Sequence, residues 1–262
     1  MTEPQATYLD AIVAAHRRSA AFDERAGAEL RVRACAVEPA RGFRRALQTP
    51  GLSVIAEIKR RSPSKGVLDA DLDPASLARE YSRGGACCLS VLTDVDHFGG
   101  SADDLRIARS AVAMPVLRKD FTVCENDVYD ARLMGADAVL LIAAVLDDRE
   151  LARFHDCARG VGLDVLVEIH DEHELVRALA VGADLIGVNQ RDLHTFQVDQ
   201  QRAVRVARAM PASVVRVAES GVRGPDDAKA LAAAGFDAVL VGEHLVTSGS
   251  PASCVQALRE AP

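Results

Sequence analysis

The sequence contains no tryptophan and only three tyrosines, and its six cysteines are scattered without a CxxC pair. Paired cysteines at short spacing are typical of metal and redox sites, and an even set after a signal peptide is typical of disulfide frameworks. Neither pattern is present in this sequence. We therefore expect ordinary buried thiols in a reducing cytosol.

Long apolar runs and basic clusters are also missing. The longest apolar run, around residues 138–146, stops at Asp147-Asp148 and is shorter than the roughly 18 residues that span a bilayer. The 38 acidic residues outnumber the 31 basic ones, for a formal net charge of −7. Membranes and nucleic acids are therefore poor partners. We expect a soluble, cytoplasmic protein, in which any cations that bind an anionic ligand are placed locally.

The sequence does contain eight short β-branched or apolar runs, which alternate with amphipathic segments of helical period. This alternation predicts βαβ units and a parallel sheet. Eight units fit a closed (β/α)8 TIM barrel better than a doubly wound sheet, which usually has about five or six strands. We therefore predict an α/β protein of the TIM-barrel class. The predicted strands are residues 53–58, 86–91, 115–118, 138–142, 164–169, 184–188, 214–218 and 238–241.

The segment before the first predicted strand does not fit the repeat. It predicts amphipathic helices over residues 8–18 and 22–33, followed by a turn at Glu38-Pro39. We expect residues 1–48 to form an N-terminal helical extension that covers one end of a barrel made by residues 52–262. A chain of 262 residues is an ordinary length for a single TIM-barrel domain, which we predict for residues 1–262.

Polar and ionisable residues end six of the eight predicted strands. One such charge is often a solvated loop charge or a structural ion pair. Many charges in one confined place cost desolvation energy, which apolar residues would avoid. Because active sites of TIM barrels lie at the carboxyl ends of the strands, we predict one there. The residues are Glu57, Lys59, Lys119, Glu168, Asn189, Arg191, Glu219, Ser220, Gly221, Gly242 and Glu243.

The first of these strand ends is the stretch AEIKRRSPSKG, residues 56–66. Glu57 and Lys59 are two residues apart, and residues two apart on a strand point to the same face. The spacing therefore directs a carboxylate and an ammonium at one spot. The turn that follows contains Ser62 and Ser64, which could donate hydrogen bonds to a ligand.

The last two strand ends carry a different signal. Ser220-Gly221 and Gly242-Glu243 are glycine-containing turns that lead into helices, at the place where TIM barrels commonly bind phosphate with backbone N–H groups. Glycine lets the backbone approach phosphate oxygens closely. Together the two turns favour a phosphorylated small molecule as ligand.

These motifs resemble the indole-3-glycerol phosphate synthase family, in order from about residue 52 to about residue 247. The resemblance implies ring closure of 1-(2-carboxyphenylamino)-1-deoxyribulose 5-phosphate with loss of carbon dioxide and water, in tryptophan biosynthesis. It also implies no metal, no organic cofactor and a monomer or weak homodimer. The motifs are AEIKRRSPSKG (56–66), SVLTD (90–94), FGGS (98–101), VLRKDF (116–121), LVEIHDE (166–172), IGVNQRDL (186–193), AESGV (218–222) and VLVGE (239–243).

The resemblance also implies roles for the residues that match these motifs. Lys119 would be the general acid that protonates the ribulose carbonyl, and Glu168 would assist loss of the hydroxyl. Lys59 would bind the substrate carboxylate, with Glu57 as a base or as its partner. The other implied contacts are Ser62, Asn189, Arg191 and Glu219 to the substrate, and Ser220, Gly221, Gly242 and Glu243 to the phosphate. As aromatic residues near the mouth, Phe98 and Phe121 could sandwich the benzene ring.

Two other functions stay open at this stage. Phosphoribosylanthranilate isomerase is a related phosphate-binding barrel, but it uses a cysteine and an aspartate, and no cysteine ends the first predicted strand here. A catalytically silent barrel that acts as a binding subunit would keep the phosphate turns. The intact lysines and glutamates at the strand ends argue against that alternative.

Two clusters that look like metal sites are better explained otherwise. His170 and His173 are spaced as an HxxH pair, but no third ligand lies at metal spacing in the sequence. Asp69, Asp71 and Asp73 alternate like a calcium loop, but Pro74 occupies the position of the loop glycine. We expect no metal, and a helix N-cap at the last of these aspartates.

Overall fold

Eight parallel strands close into a barrel in the computed structural model of the chain, which describes residues 8–63, 65–191 and 197–260. Each barrel strand pairs with the next one along the chain, and the first pairs with the last to close the ring. Two further short strands, β2 and β3, pair antiparallel beside it. In chain order the strands are β1 (Ser53–Ile58), β2 (Arg61–Ser62), β3 (Gly66–Val67), β4 (Cys88–Leu92), β5 (Val116–Lys119), β6 (Ala138–Ile142), β7 (Asp164–Ile169), β8 (Leu185–Asn189), β9 (Val215–Glu219) and β10 (Ala238–Val241).

The predicted TIM barrel is therefore confirmed, and four of the eight strands have the predicted bounds. The other four begin and end one or two residues later. This shift brings Lys119, Asn189 and Glu219 into the strands themselves, where Lys119 pairs in register with Leu92 and Asn189 with Glu219. The β2–β3 hairpin was not predicted, because its strands are too short to show an apolar pattern.

Helices cover the outside of the barrel. None of the helices in the described ranges is long and apolar enough to cross a membrane. They are α1 (Tyr8–Ala21), α2 (Gly27–Cys35), α3 (Phe43–Ala46), α4 (Pro74–Arg83), α5 (Val95–Phe98), α6 (Ala102–Ala111), α7 (Glu125–Met134), α8 (Asp148–Gly160), α9 (Glu172–Ala180), α10 (Gln200–Ala209), α11 (Pro225–Ala233), α12 (Glu243–Val246) and α13 (Pro251–Arg259).

Local signals explain several of the helix ends. The side chain of Asp73 accepts a hydrogen bond from the N–H of Ala75 and caps α4, as predicted. Gly135 ends α7 in the left-handed conformation, at φ 94°. The predicted start of the second helix at residue 22 is wrong. Phe22 is 84 % exposed, and Asp23 accepts a hydrogen bond from the N–H of Arg25 in a turn before α2.

Apolar side chains form two layers, one inside the barrel and one between the barrel and the helices. On β1, Val54, Ala56 and Ile58 point outward to the helices, whereas Ile55 points into the barrel. Because faces alternate along a strand, Glu57 also points inward. The interior layer includes Leu117, Leu140, Leu166 and Leu240 from four other strands.

The N-terminal extension reaches both ends of the barrel, not one end as predicted. On α3, Phe43 is fully buried against the barrel interior, and the N–H of Arg44 donates to Asp164 at the amino end of β7. On α1, Ile12 packs in the same interior layer as Phe121, which follows β5 at the opposite end. The first helix therefore lies over the mouth formed by the carboxyl ends of the strands.

Candidate active site

A cavity of about 980 Å³ opens at the carboxyl ends of the strands. All fourteen site residues predicted from the sequence line it, and Leu9 of α1 contributes to the wall from above. The fourteen are Glu57, Lys59, Ser62, Phe98, Lys119, Phe121, Glu168, Asn189, Arg191, Glu219, Ser220, Gly221, Gly242 and Glu243. Ser64, also considered as a donor, lies outside the described residues.

Lys119 lies at the centre of the buried polar groups. Its Nζ is 2.8 Å from Glu168 Oε2 and 3.2 Å from Glu219 Oε2, so one ammonium joins three different strands. Asn189 Nδ2 donates to the other oxygen of Glu168 at 3.0 Å. Both glutamate side chains are only 2 % exposed, and water therefore screens these charges poorly.

The pKa values of the two glutamates around Lys119 are shifted in opposite directions. Burial disfavours the charge on Glu168, but Lys119, His170 and Asn189 outweigh it and lower the pKa of Glu168 to about 2. Burial and the negative charges of Glu168 and Glu57 outweigh the attraction of Lys119 and raise the pKa of Glu219 to about 7. For Lys119, attraction to the carboxylates outweighs burial and raises its pKa. Near neutral pH the site thus holds a cation, a carboxylate and a carboxyl group that can carry a proton.

Glu57 and Lys59 form a second ion pair at the same mouth, with Lys59 Nζ 2.5 Å from Glu57 Oε1. Two neighbouring glycines leave room for the side chains of Glu57 and Glu219. A Cβ at Gly242 would collide with Glu57 Oε1, and a Cβ at Gly187 would collide with Glu219 Oε1. These two glycines therefore fix where the carboxylates can sit.

The turn after β9 has an unusual backbone. Ser220 is the one residue other than glycine with a positive φ in the described ranges, at 66°, and Gly221 follows with φ 76°. The buried Gln190 supports this turn, because its Nε2 donates to the carbonyl of Ser220 at 2.7 Å. Gln190 was not among the predicted site residues. Its contact joins residues 30 apart, which sequence periodicity does not reveal.

The two phenylalanines line the cavity side by side, with ring centroids 6.4 Å apart and an interplanar angle of 40°. Asp94 places the first of them, because its Oδ1 accepts from the N–H groups of His97 and Phe98 and caps α5. The ring of His16, on α1, lies 5.3 Å from that of Phe121. The aromatic wall is therefore built by the mouth loops and the extension together.

A buried network behind Lys119 was not predicted. Arg118 points outward from β5 and donates to Thr93 Oγ1 at 3.1 Å and to Asp120 Oδ2 at 3.0 Å. Asp120 also accepts from the N–H of Phe121 at 2.8 Å. Neighbouring residues of the motif VLRKDF thus have different roles. Lys119 faces the cavity, and Arg118 and Asp120 hold β5 and the loop that follows it.

Among the residues that the structure describes, His170 and His173 belong to no group of three metal-ligating side chains. His173 is exposed, and His170 Nδ1 lies 3.1 Å from Glu174 Oε2. Within the described ranges, the one metal-like cluster joins His16, Asp94 and His97. Both imidazoles there lie 2.9 Å from Asp94 Oδ2, so hydrogen bonds account for the arrangement.

Comparisons with known proteins identify the family of the chain. Residues 9–258 match the family model described as indole-3-glycerol phosphate synthase. The chain is 52 % identical to indole-3-glycerol phosphate synthase 2 of Streptomyces coelicolor over 89 % of this chain and 91 % of that one. It is 50 % identical to the indole-3-glycerol phosphate synthase of Mycolicibacterium smegmatis over 95 % and 93 %.

Similarity to solved structures extends to the fold. Thiamine phosphate pyrophosphorylase from Pyrococcus furiosus superposes with a TM-score of 0.62 at 16 % identity, over 80 % of this chain and 95 % of that one. KGPDC from Streptococcus mutans superposes with a TM-score of 0.61 at 9 % identity, over 80 % and 97 %. At these identities the likeness concerns the barrel alone. The sequence relatives decide the family, and the chain belongs to the indole-3-glycerol phosphate synthase family.

Proposed function

We propose that this protein closes the indole ring of indole-3-glycerol phosphate from 1-(2-carboxyphenylamino)-1-deoxyribulose 5-phosphate. The observation that carries this proposal is Lys119 held between two buried glutamates with opposite pKa shifts, in a member of this family. The reaction needs a proton donor at a carbonyl and then a donor and an acceptor for loss of water. The three side chains provide those groups within one cavity.

The first step forms a bond between a carbon of the aromatic ring and the carbonyl carbon of the substrate. The carbonyl oxygen gains negative charge as the bond forms, and Lys119 stabilises that charge and delivers the proton. Glu168, which is ionised, and Glu219 keep the ammonium in place before the reaction. Positioned acids and bases typically contribute ~10²–10⁴-fold to the rate.

Two bonds then break. The bond from the ring to its carboxylate breaks to release carbon dioxide, and the electron pair restores the aromatic ring. The bond from carbon to the new hydroxyl breaks when the hydroxyl is protonated and a second proton leaves the forming indole. We assign acceptance of that proton to Glu168. Glu219, with a pKa raised to about 7, is the carboxyl group that can supply one.

The rest of the cavity would hold the substrate. We assign the substrate carboxylate to Lys59, the benzene ring to Phe98 and Phe121, and the sugar hydroxyls to Ser62, Asn189 and Arg191. The phosphate would lie at Ser220, Gly221, Gly242 and Glu243, where α12 begins and its first N–H groups lack acceptors within the helix. We expect a monomer or weak homodimer in the cytosol, which agrees with six free cysteines.

The test uses the absence of tryptophan from the chain, since indole emission will appear against three tyrosines. The purified protein is given the carboxyphenylamino substrate with chelator present. We expect indole emission from the wild type and a ~10²–10⁴-fold lower rate from Lys119→Ala. Lys229→Ala removes an exposed lysine and serves as the matched control.

Circular dichroism of Lys119→Ala checks that the variant is folded, because the substitution leaves two buried carboxyl groups without their cation. No indole emission from a folded wild-type protein would overturn the proposed function. An unchanged rate in folded Lys119→Ala would overturn the role of Lys119.

A further inference from the structure

His170 lies beside the catalytic groups without having been assigned a role. It follows β7 directly, two residues after Glu168, and its side chain is 12 % exposed. Its backbone N–H donates to Glu174 Oε2 at 2.7 Å, and its Nδ1 lies 3.1 Å from the same oxygen. An imidazole nitrogen that faces a carboxylate carries the proton, so Nε2 is the nitrogen that titrates.

Nε2 of His170 points toward the site. It is buried, lies 3.8 Å from Glu168 Oε1 and has no hydrogen-bond partner among residues 8–63, 65–191 and 197–260. In the neutral ring this atom turns a lone pair toward a carboxylate, and a buried polar atom left unpaired is destabilising. In the cation the same atom carries an N–H that is directed at the Glu168 carboxylate. A charge-assisted contact of this kind is favourable.

The charges around the ring come from four elements. Burial and Arg202, on α10, oppose a positive charge on His170. Glu174, on α9, and Glu168, at the end of β7, favour it. Lys119, on β5, lies on the other side of Glu168 and contacts the opposite carboxylate oxygen. The carboxylates prevail, and the pKa of His170 is raised.

We propose that His170 is a positioning residue whose protonated Nε2 holds Glu168 as the ionised member of the glutamate pair, and thereby leaves the shared proton on Glu219. Lys119 alone cannot make this choice, since its Nζ contacts both glutamates at 2.8 and 3.2 Å. Asn189 and His170 both face Glu168 Oε1. The difference in protonation between Glu168 and Glu219 thus arises from groups behind Glu168, on the side away from the substrate.

This inference rests on the proposed function only for its kinetic consequence. His170 does not line the cavity, so it acts on the reaction through Glu168. A histidine in this place also makes the site respond to pH. When His170 loses its proton, the preference for ionised Glu168 weakens and the proton is no longer confined to Glu219.

The first measurement follows the histidine directly. Side-chain ¹H–¹⁵N spectra of the whole protein are recorded from about pH 5 to pH 9, for wild type, Glu168→Gln and the exposed-site control Glu24→Gln. We expect Nδ1 of His170 to be protonated throughout. We expect the pKa of the His170 ring, which titrates at Nε2, to fall in Glu168→Gln and to be unchanged in Glu24→Gln. The same pKa in all three proteins would overturn the inference.

The second measurement follows the reaction. His170→Asn keeps a donor near Glu174 and removes the atom that faces Glu168, and His173→Asn is the matched control at an exposed position. We expect kcat to fall about 10- to 100-fold in His170→Asn with little change in KM, since a misplaced catalytic group loses rate on this scale. We also expect the pH dependence of kcat in His170→Asn to lack the change that titration of His170 causes. The pH dependence of kcat in the control should match that of the wild type.

The two measurements separate two kinds of failure. An active wild type and a folded His170→Asn with the same kcat at every pH would overturn the role of His170. Absence of product from the wild type would overturn the proposed function, while the spectra would still decide whether His170 and Glu168 are coupled.

Discussion

Glu168 and Glu219 show how far two identical side chains can differ within one cavity. Both are buried and both contact Lys119, but the pKa of one is lowered to about 2 and that of the other raised to about 7. Glu168 also accepts from Asn189 and faces His170, whereas Oε1 of Glu219 has no hydrogen-bond partner in the described parts of the chain. Local partners, rather than burial, therefore separate their protonation states.

The raised pKa of Glu219 makes stability depend on pH. A carboxyl group whose pKa is raised on folding stabilises the fold fully below its unfolded value near 4.5, and this stabilisation is lost as pH rises through about 7. We expect Glu219→Gln to remove this loss. The free energy of unfolding of the variant, relative to wild type, should rise by on the order of 3 kcal/mol between about pH 4.5 and pH 8.

Chemical denaturation at several pH values measures this difference. The exposed substitution Glu24→Gln is the control and should show no such trend. A difference between Glu219→Gln and wild type that is the same at every pH would mean that Glu219 titrates as an ordinary carboxylate.

Gly187 offers a second test at the level of one residue. A methyl group there would collide with Oε1 of Glu219, so Gly187→Ala should displace the glutamate from Lys119. We expect kcat to fall about 10²-fold, because small displacements of catalytic groups cost rate on that scale. Gly160→Ala is the matched control, since a Cβ there meets nothing within 4 Å. Equal rates for the two variants would contradict this placement of Glu219.

Among the elements, α1 connects the N-terminal extension to the reacting end of the barrel. His16 Nε2 lies 2.9 Å from Asp94 Oδ2, and Arg17 pairs with Glu150 Oε1 at 2.7 Å. Burial lowers the pKa of His16, but the hydrogen bond to Asp94 and the charge of Asp120 outweigh it and raise that pKa. The Asp94 carboxylate also caps α5, so it serves as one anchor for both α1 and the aromatic wall.

We expect this anchor to weaken at high pH. A histidine whose pKa is raised on folding stabilises the fold fully below its unfolded value of 6.5, and the stabilisation is lost as pH rises through the folded value. His16→Gln should therefore cost about 1 kcal/mol at about pH 6 and less at about pH 8.5. Denaturant unfolding at both pH values tests this, with His173→Gln as the control. An equal cost at both values would show that the protonated form is not what docks α1.

At the scale of elements, the barrel strands and the helices α1 and α2 could largely be predicted from the sequence, and the shortest elements could not. Runs that are apolar on both faces mark strands covered on both sides, and each is followed by a helix. The short elements α3, α5 and β2–β3 have no such period. Their positions depend on contacts with distant residues, as in the hydrogen bond from Arg44 to Asp164.

At the scale of the whole molecule, the described residues of the segment 60–69 lie beside the mouth, and Ser62, Pro63 and Lys65 line its cavity. Its base is tied to the barrel, because Arg60 pairs with Asp104 and donates to the carbonyl of Leu72 at 2.9 Å. Beyond β1, Lys65 contacts the end of the neighbouring strand β10, where its Nζ lies 3.6 Å from Glu243 Oε1. Loops of this kind exclude water when substrate binds.

We expect amide hydrogen exchange in residues 60–69 to slow when a phosphorylated substrate analogue binds, because closure buries the hairpin over the ligand. The effect should shrink in Lys65→Ala, which removes the contact with Glu243, and persist in the exposed control Lys229→Ala. Equal protection with and without the analogue would mean that this segment does not act as a lid.

The number of barrel strands, the polar residues near their carboxyl ends and the family follow from the sequence alone. Alternation along a strand also placed Glu57 and Lys59 on one face, because that periodicity is local. Closure of the barrel decided which face points inward and that Lys119 meets glutamates 49 and 100 residues away. It also decided their protonation states, since desolvation and charge depend on distances between strands that no sequence period encodes.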